Sequence, residues 1–503
     1  MNLQWALIGL PTLAGVAALL MRGNLLRRCL LVAAALGHLG LTFAVWGESL
    51  PAEPGQWLAL DGPGKLFLVV LSVLFSASAL YCFGYLEREN LDLLAGRTDS
   101  TNESEQIFIG CLLFFEAAMT LVTMSQHFGL LWVAIEATTL ASAPLIYFHR
   151  HNRSLEATWK YLLICSVGIA LALMGVFLLA VAASGKGKEE HPLPLTVVDL
   201  IHQAAKLDHR WLQISFLFVL VGFGTKMGLA PMHNALPDAD SEAPSAVGAL
   251  LSGALLNCAF LGILRFYQVC AAAGEGVFCQ QLFIFFGLLS MAVAGAFIVG
   301  QGDFRRLLAY SSIEHMGIIC LAVGLGGPAD SALGGASWGA FAAALHSVNH
   351  SLTKAALFLL SGNIRHFYDS RVVADVRGAV HKIPWTGGLW VACILAIVGI
   401  PPFGPFLSEF MVLKAALDQG QYFIAILYLL LLAIVFVGMT SVALGMALGK
   451  PPAEEREVSS PEPIWAIGPP AVLCVLVATI GLYMPPHLKG MLIEAATAWG
   501  AGK

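Results

Sequence analysis

Apolar runs long enough to cross about 30 Å of hydrocarbon follow one another along almost the whole chain, and they restrict its fold more than any other feature. They lie near 3–21, 28–47, 64–86, 107–125, 128–148, 157–183, 211–230, 245–270, 280–300, 306–326, 338–361, 383–401, 421–449 and 463–484. Lipid offers no hydrogen bonds to an open backbone, so runs of this length and spacing predict an all-α integral membrane protein of about fourteen transmembrane helices. Composition agrees. Of 503 residues, 58% are apolar and only 12% charged, against about 25% charged in a soluble chain, and the mean hydropathy is +0.78. The net charge of -5 leaves no basic footprint for nucleic acid. Ten cysteines stand singly, without zinc, haem or cluster spacing, and read as apolar packing residues. The first stretch, Met1 to Met21, has no basic segment before it and reads as a retained span rather than a cleaved leader.

Basic residues orient the chain. Arg22, Arg27, Arg28, Arg88, Arg97, Arg150, Arg153, Arg305, Arg306, Arg365, Arg371, Arg377, Lys382, Lys450 and Arg456 all fall in odd-numbered loops. The positive-inside rule then places both termini outside.

Two spans are broken rather than continuous. One runs into Pro231, Pro237 and Pro244, the other into Pro401, Pro402, Gly404 and Pro405. Unwound backbone at membrane depth is tolerated only where protein or a watery cavity surrounds it. The breaks, near 231–244 and 401–405, recur with polar landmarks at similar offsets: Glu136 with Glu314, Lys226 with Glu409, Lys160 with Lys354. Paired interrupted helices suggest an inverted repeat. The resulting division is an N-terminal three-helix segment over 1–106, one repeat over 107–270, a second over 280–449, and a C-terminal helix and tail over 450–503.

The candidate functional residues are the ionisable groups inside the spans. Such groups are costly at depth unless paired, and they mark ion pathways. Glu136 lies in LLWVAIEATTLASAPLI, Lys226 in FVLVGFGTKMGLAPMHNALP and Glu409 in PPFGPFLSEFMVLKAAL. His346, His350 and Lys354 are spaced four and four, so they share one helical face. Imidazole exchanges protons near neutrality, which suits a relay. Glu116 is weighed evenly between helix tie and carrier. Glu314 and His315 have a competing structural reading, a salt bridge to Arg305 and Arg306. A metal on His346 and His350 lacks a third ligand at recognisable spacing.

WVAIEATTLASAPLI, GTKMGLAPMHNALPDADSEAPSAVGALLSG, GDFRRLLAYSSIEHMG, LHSVNHSLTKAALFLLSG and GIPPFGPFLSEFMVL together resemble the antiporter-like subunits of respiratory complex I, Mrp-type cation/proton antiporters and membrane-bound hydrogenases. The likeness is greatest to the large membrane subunit of hydrogenase-4 and formate hydrogenlyase, and it covers roughly residues 60 to 445. The resemblance implies two inverted five-helix repeats, each with a broken helix, around a hydrated polar axis. Glu136 would pair with Lys226, and His346, His350 and Lys354 would form a relay ending at Glu409. Arg305 falls where relatives often carry lysine. Two departures stand out. Ser252 and Asn257 occupy eighth-span positions where relatives commonly place a histidine or lysine, and Asp240 replaces the last residue of a PDAH stretch.

The function expected is proton translocation within a multisubunit membrane oxidoreductase of the prokaryotic cytoplasmic membrane. Other membrane subunits and a peripheral redox arm would be its partners, and no cofactor is expected on this chain. The alternatives are a sodium/proton antiporter, an inorganic-carbon uptake subunit, or a non-conducting scaffold, the last suggested by the uncharged Ser252 and Asn257.

Overall fold

The computed structural model describes residues 3–46, 53–94, 104–184, 194–449 and 462–500. The charges Arg97, Lys450 and Arg456 used for orientation lie outside these residues. The described chain is helical, joined by loops with three isolated β-bridges.

Eleven helices are individually long and apolar enough to cross a membrane: Leu3–Leu20, Asn24–Trp46, Gly62–Asn90, Glu105–Met124, Phe128–Ile146, Asn152–Ala183, Ser245–Ala272, Gly276–Ile298, Phe304–Leu325, Tyr422–Leu448 and Ile464–Leu482. Three further crossings fall short for a visible reason. His209–Met227 carries Arg210 and Lys226, Trp338–Tyr368 carries three histidines and Lys354, and the twelfth crossing is split into Pro384–Ile397 and Gly404–Asp418. The crossings that lose apolarity or length are therefore the ones that hold Lys226, the His346 to Lys354 face and Glu409.

Both expected breaks are present, and each opens a few residues early. The seventh span ends at Met227, where Gly228 takes φ +83 as its C-cap. After a turn, a short helix Ala235–Glu242 occupies the region expected to be unwound. The twelfth span ends at Ile397, and Gly399 adopts φ +73 before Gly404 restarts the helix. Positive φ suits glycine because no Cβ meets the following carbonyl. Two helices run past the expected hydrocarbon limits, Gly62–Leu94 and Trp338–Tyr368. Hydropathy registers the lipid-matched part of a helix and not its polar extension.

Loops gather on two faces. On one, the Gly55 amide donates to Asp199, and bridges join Leu58 to Ser125 and His127 to Thr196. On the other, Arg28 pairs with Glu105, Arg306 with Asp238, and the Trp385 and Thr386 amides donate to Glu462. Lipid-facing residues such as Phe285, Phe423 and Ile426 remain exposed on the periphery. The most apolar windows of Ser245–Ala272 and Phe304–Leu325, in contrast, are wholly buried inside protein. With Trp338–Tyr368, buried from Gly339 to Ile364, they form the interior. The helix Pro486–Gly500 packs against the third and eleventh spans, with Leu492, Ala495, Ala496 and Trp499 buried and the Trp499 ring edge-on to Phe260 of the eighth.

Candidate functional site

The interior helices bring the polar residues together in two groups. In the first, Lys226 stands two residues before the Gly228 break and is 3% exposed. Its ammonium donates to the Ile135 carbonyl at 3.2 Å and to the Thr139 hydroxyl. Glu136, next to Ile135 on the fifth span, is partly buried and within Coulombic reach of Lys226. One of its oxygens is buried without a hydrogen-bond partner. The expected Glu136–Lys226 pair is therefore a through-space coupling, because Thr139 and a backbone carbonyl occupy the direct contacts of the amine.

The second group joins the tenth, eleventh and twelfth spans. The His346 Nε2 and His315 Nδ1 atoms share a hydrogen bond of 2.9 Å with the rings stacked 5.1 Å apart, and His346 Nδ1 shares another of 2.9 Å with the Ser408 hydroxyl. Ligand atoms of His315, His346 and Glu409 all lie within 4.8 Å of one another. Such a set is compatible with a cation, although the bond between the two imidazoles already engages a nitrogen of each. Glu314 Oε2 lies 3.3 Å from His315 Nε2. Glu409 folds back against Gly399, where an added Cβ would come within 2.1 Å of a carboxylate oxygen. The left-handed glycine at the break is thus what makes room for the carboxylate.

Lys354 donates to the Leu308 carbonyl at 2.6 Å and to the Ser311 hydroxyl of the tenth span. It sits within Coulombic reach of Glu314 and Asp240. This sets it on the Lys226 side of the histidines. His350 lies 5.2 Å from His315, and neither of its ring nitrogens has a hydrogen-bond partner.

Ser252 and Asn257 do meet this group. Ser252 lies in a π-helical turn, Leu251–Leu255, and shares a 2.6 Å hydrogen bond with Ser312. Asn257 donates to Ser351 at 2.7 Å. Single π turns inside α-helices are common at functional sites.

Other candidates lie elsewhere. Lys160 is half exposed on the loop face, paired with Glu156 and Asp238, so it shares no buried environment with Lys354. Arg305 is fully buried and donates to the carbonyls of Asp240 and Ala243 at 3.1 and 2.6 Å, while Arg306 pairs with Asp238 at 2.7 Å. Among the described residues Glu314 and His315 contact each other and His346 rather than either arginine, so the salt-bridge reading for them does not apply. Glu116 forms a separate cluster with His38, 3.3 Å away, which also bonds Ser72 and Thr120. His38 was missed by sequence reasoning. A single histidine in an apolar run carries no spacing signal, and only the packing of the second and fourth spans joins it to Glu116.

The helical spans, the two interrupted helices and the buried titratable side chains between them define a multi-spanning membrane subunit. A model of the NADH:quinone oxidoreductase/Mrp antiporter transmembrane family matches residues 125–437, and the chain belongs to that family. It is 36% identical over 445 residues to a hydrogenase-4 component F homolog of Methylacidiphilum infernorum, covering 86% of this chain and 87% of that one. It is 28% identical over 466 residues to Na(+)/H(+) antiporter subunit A1 of Staphylococcus aureus, covering 88% of this chain but only 54% of that longer protein. Among solved structures, a chain of the archaeal membrane-bound sulfane sulfur reductase superposes with a TM-score of 0.84 at 21% identity, covering 99% of this chain and 98% of that one. At that identity the match speaks for the fold.

Proposed function

We propose that this antiporter-like subunit translocates protons within a multisubunit membrane oxidoreductase of hydrogenase-4 type. The observation that carries the reading is the succession of buried titratable side chains Lys226, Lys354, His315, His346 and Glu409. Ionisable groups in such surroundings are expensive and are found where charge has to move. Electron transfer in partner chains, which would hold all the cofactors, alters the field that Glu136 exerts on Lys226. Lys226 then releases or captures a proton, and the histidines pass it to or from Glu409. The two repeats, 107–270 and 280–449, each supply one broken helix to this path. The chain lies in the cytoplasmic membrane of a prokaryote with both termini outside. Other membrane subunits and a peripheral redox arm are its neighbours.

The test is proton uptake by vesicles containing the assembled complex, energised by the donor that supports its turnover. Lys226→Ala and Glu136→Gln should each abolish or strongly reduce translocation per chain, and wild-type translocation in both would remove the proposal. Likeness to a sodium/proton antiporter subunit favours one second reading, exchange of sodium for protons. Sodium-dependent pH changes in the same vesicles without any electron donor would establish that reading instead.

A further inference from the structure

We infer that Asp240 is the relay carboxylate that connects the Lys226 and Lys354 groups. This extends the proton-translocation reading and rests on it.

The argument starts from the short helix Ala235–Glu242 that fills the seventh-span break. Its three acidic residues are spaced two apart. On a helix, positions 238 and 242 lie on nearly the same side and 240 on the opposite one. The ties follow that geometry. Asp238 pairs with Arg306 at 2.7 Å and Lys160 at 3.2 Å, and Glu242 pairs with Arg371 at 2.8 Å and lies 3.6 Å from His151. These pairs anchor both ends of the helix on the loop face, and anchoring requires nothing from Asp240.

Asp240 turns inward. It is fully buried, and neither carboxylate oxygen has a hydrogen-bond partner. Together with Lys226, Tyr161, Cys165 and Thr225 it lines one small cavity, with room for about one water molecule. From the far side it is within Coulombic reach of Lys354 and Arg305. Arg305 holds the backbone of this turn through the Asp240 and Ala243 carbonyls and leaves the carboxylate free. A buried carboxylate with no partner is a liability in a static scaffold. Beside the Lys226 cavity and within Coulombic reach of Lys354, it is a usable carrier.

The transfer balances without any further reactant. The Lys226 ammonium gives a proton, through cavity water, to the Asp240 carboxylate. The resulting carboxylic acid gives it to the neutral Lys354 amine, which becomes the ammonium and hands it on toward His315 and His346. Run backwards, the same steps carry a proton the other way. Ser252 and Asn257, which bond Ser312 and Ser351, need carry no charge.

The test uses the intact complex in vesicles, with proton translocation normalised to the amount of this chain in the membrane. Asp240→Asn, close in shape but unable to carry a proton, should lower translocation at least about tenfold. Asp240→Glu should retain it with a displaced pH profile, a readout that a purely structural residue would not move. Installing a base on the eighth span, as Asp240→Asn with Asn257→His, should recover part of the loss. Wild-type translocation in Asp240→Asn overturns the inference. If Lys226→Ala is inactive alongside it, the translocation reading stands, and if Lys226→Ala is also fully active, that reading falls too. Should Asp240→Asn not accumulate, Asp240→Glu decides alone: an unshifted pH profile at the wild-type rate overturns the assignment.

Discussion

Gly399 offers the most direct test of how the site is built. It has φ +73, and a Cβ placed there would lie 2.1 Å from the Glu409 Oε2 atom and 2.9 Å from its carboxyl carbon. An ordinary contact begins near 3.4 Å, so Gly399→Ala drives the carboxylate back by more than 1 Å. That distance matters because the Glu409, His315 and His346 ligand atoms sit within 4.8 Å of one another. A displacement on the order of 1 Å in a transfer site costs about 10²-fold in rate. The backbone adds about 1–2 kcal/mol for a left-handed alanine, enough to lower the melting temperature by a few degrees at most in a chain this long. Gly399→Ala should therefore assemble, melt slightly early and translocate protons about a hundredfold more slowly. Gly388 is the control, since an added Cβ there meets nothing within 4 Å, and Gly388→Ala should leave translocation unchanged. The assay is dye-reported proton uptake in vesicles beside a thermal melt of the solubilised complex. If Gly399→Ala translocates within about twofold of wild type, the placement of Glu409 in the path is wrong.

Ser408→Ala removes the hydroxyl that bonds His346 Nδ1. Losing about 1 kcal/mol of orientation should slow translocation roughly fivefold, with Ser408→Thr recovering the rate in the same assay. Lys160→Ala breaks only half-exposed pairs with Glu156 and Asp238, so stability should change by less than about 1 kcal/mol and translocation not at all. A large loss of translocation would put Lys160 in the path. Outside the membrane, Asp330 is held below the usual carboxylate range by hydrogen bonds from the Ala332 amide and the Trp338 indole. A folded pKa below the unfolded one stabilises fully above about pH 4 and fades as pH falls through the folded value. Hydrogen exchange in the 326–337 loop should accelerate across that acid window in the wild type and show no such step in Asp330→Asn.

The span pattern, both helix breaks and the buried Lys226, His346, His350, Lys354 and Glu409 were legible in the one-dimensional chain, because lipid imposes a length and a polarity that local sequence must meet by itself. A lysine such as Lys226 or a histidine ladder such as His346 and His350 stands out against twenty apolar neighbours wherever the helix ends up. Pairing was not legible. Glu136 reaches Lys226 only through space because Thr139, three residues on, occupies the amine. Glu314 and His315 join His346 rather than the arginines because Arg305 and Arg306 are taken by the Asp240 and Ala243 carbonyls and by Asp238. Lys160 matched Lys354 in spacing but ended on the loop face. Asp240 looked like an altered loop residue, and only the turn of one short helix, anchored by its flanking carboxylates, places it on the cavity that Lys226 also lines. Which residues cannot face lipid is decided by each segment alone. Which of them meet is decided by how interior helices divide a limited set of partners, and that is settled only when the chain packs.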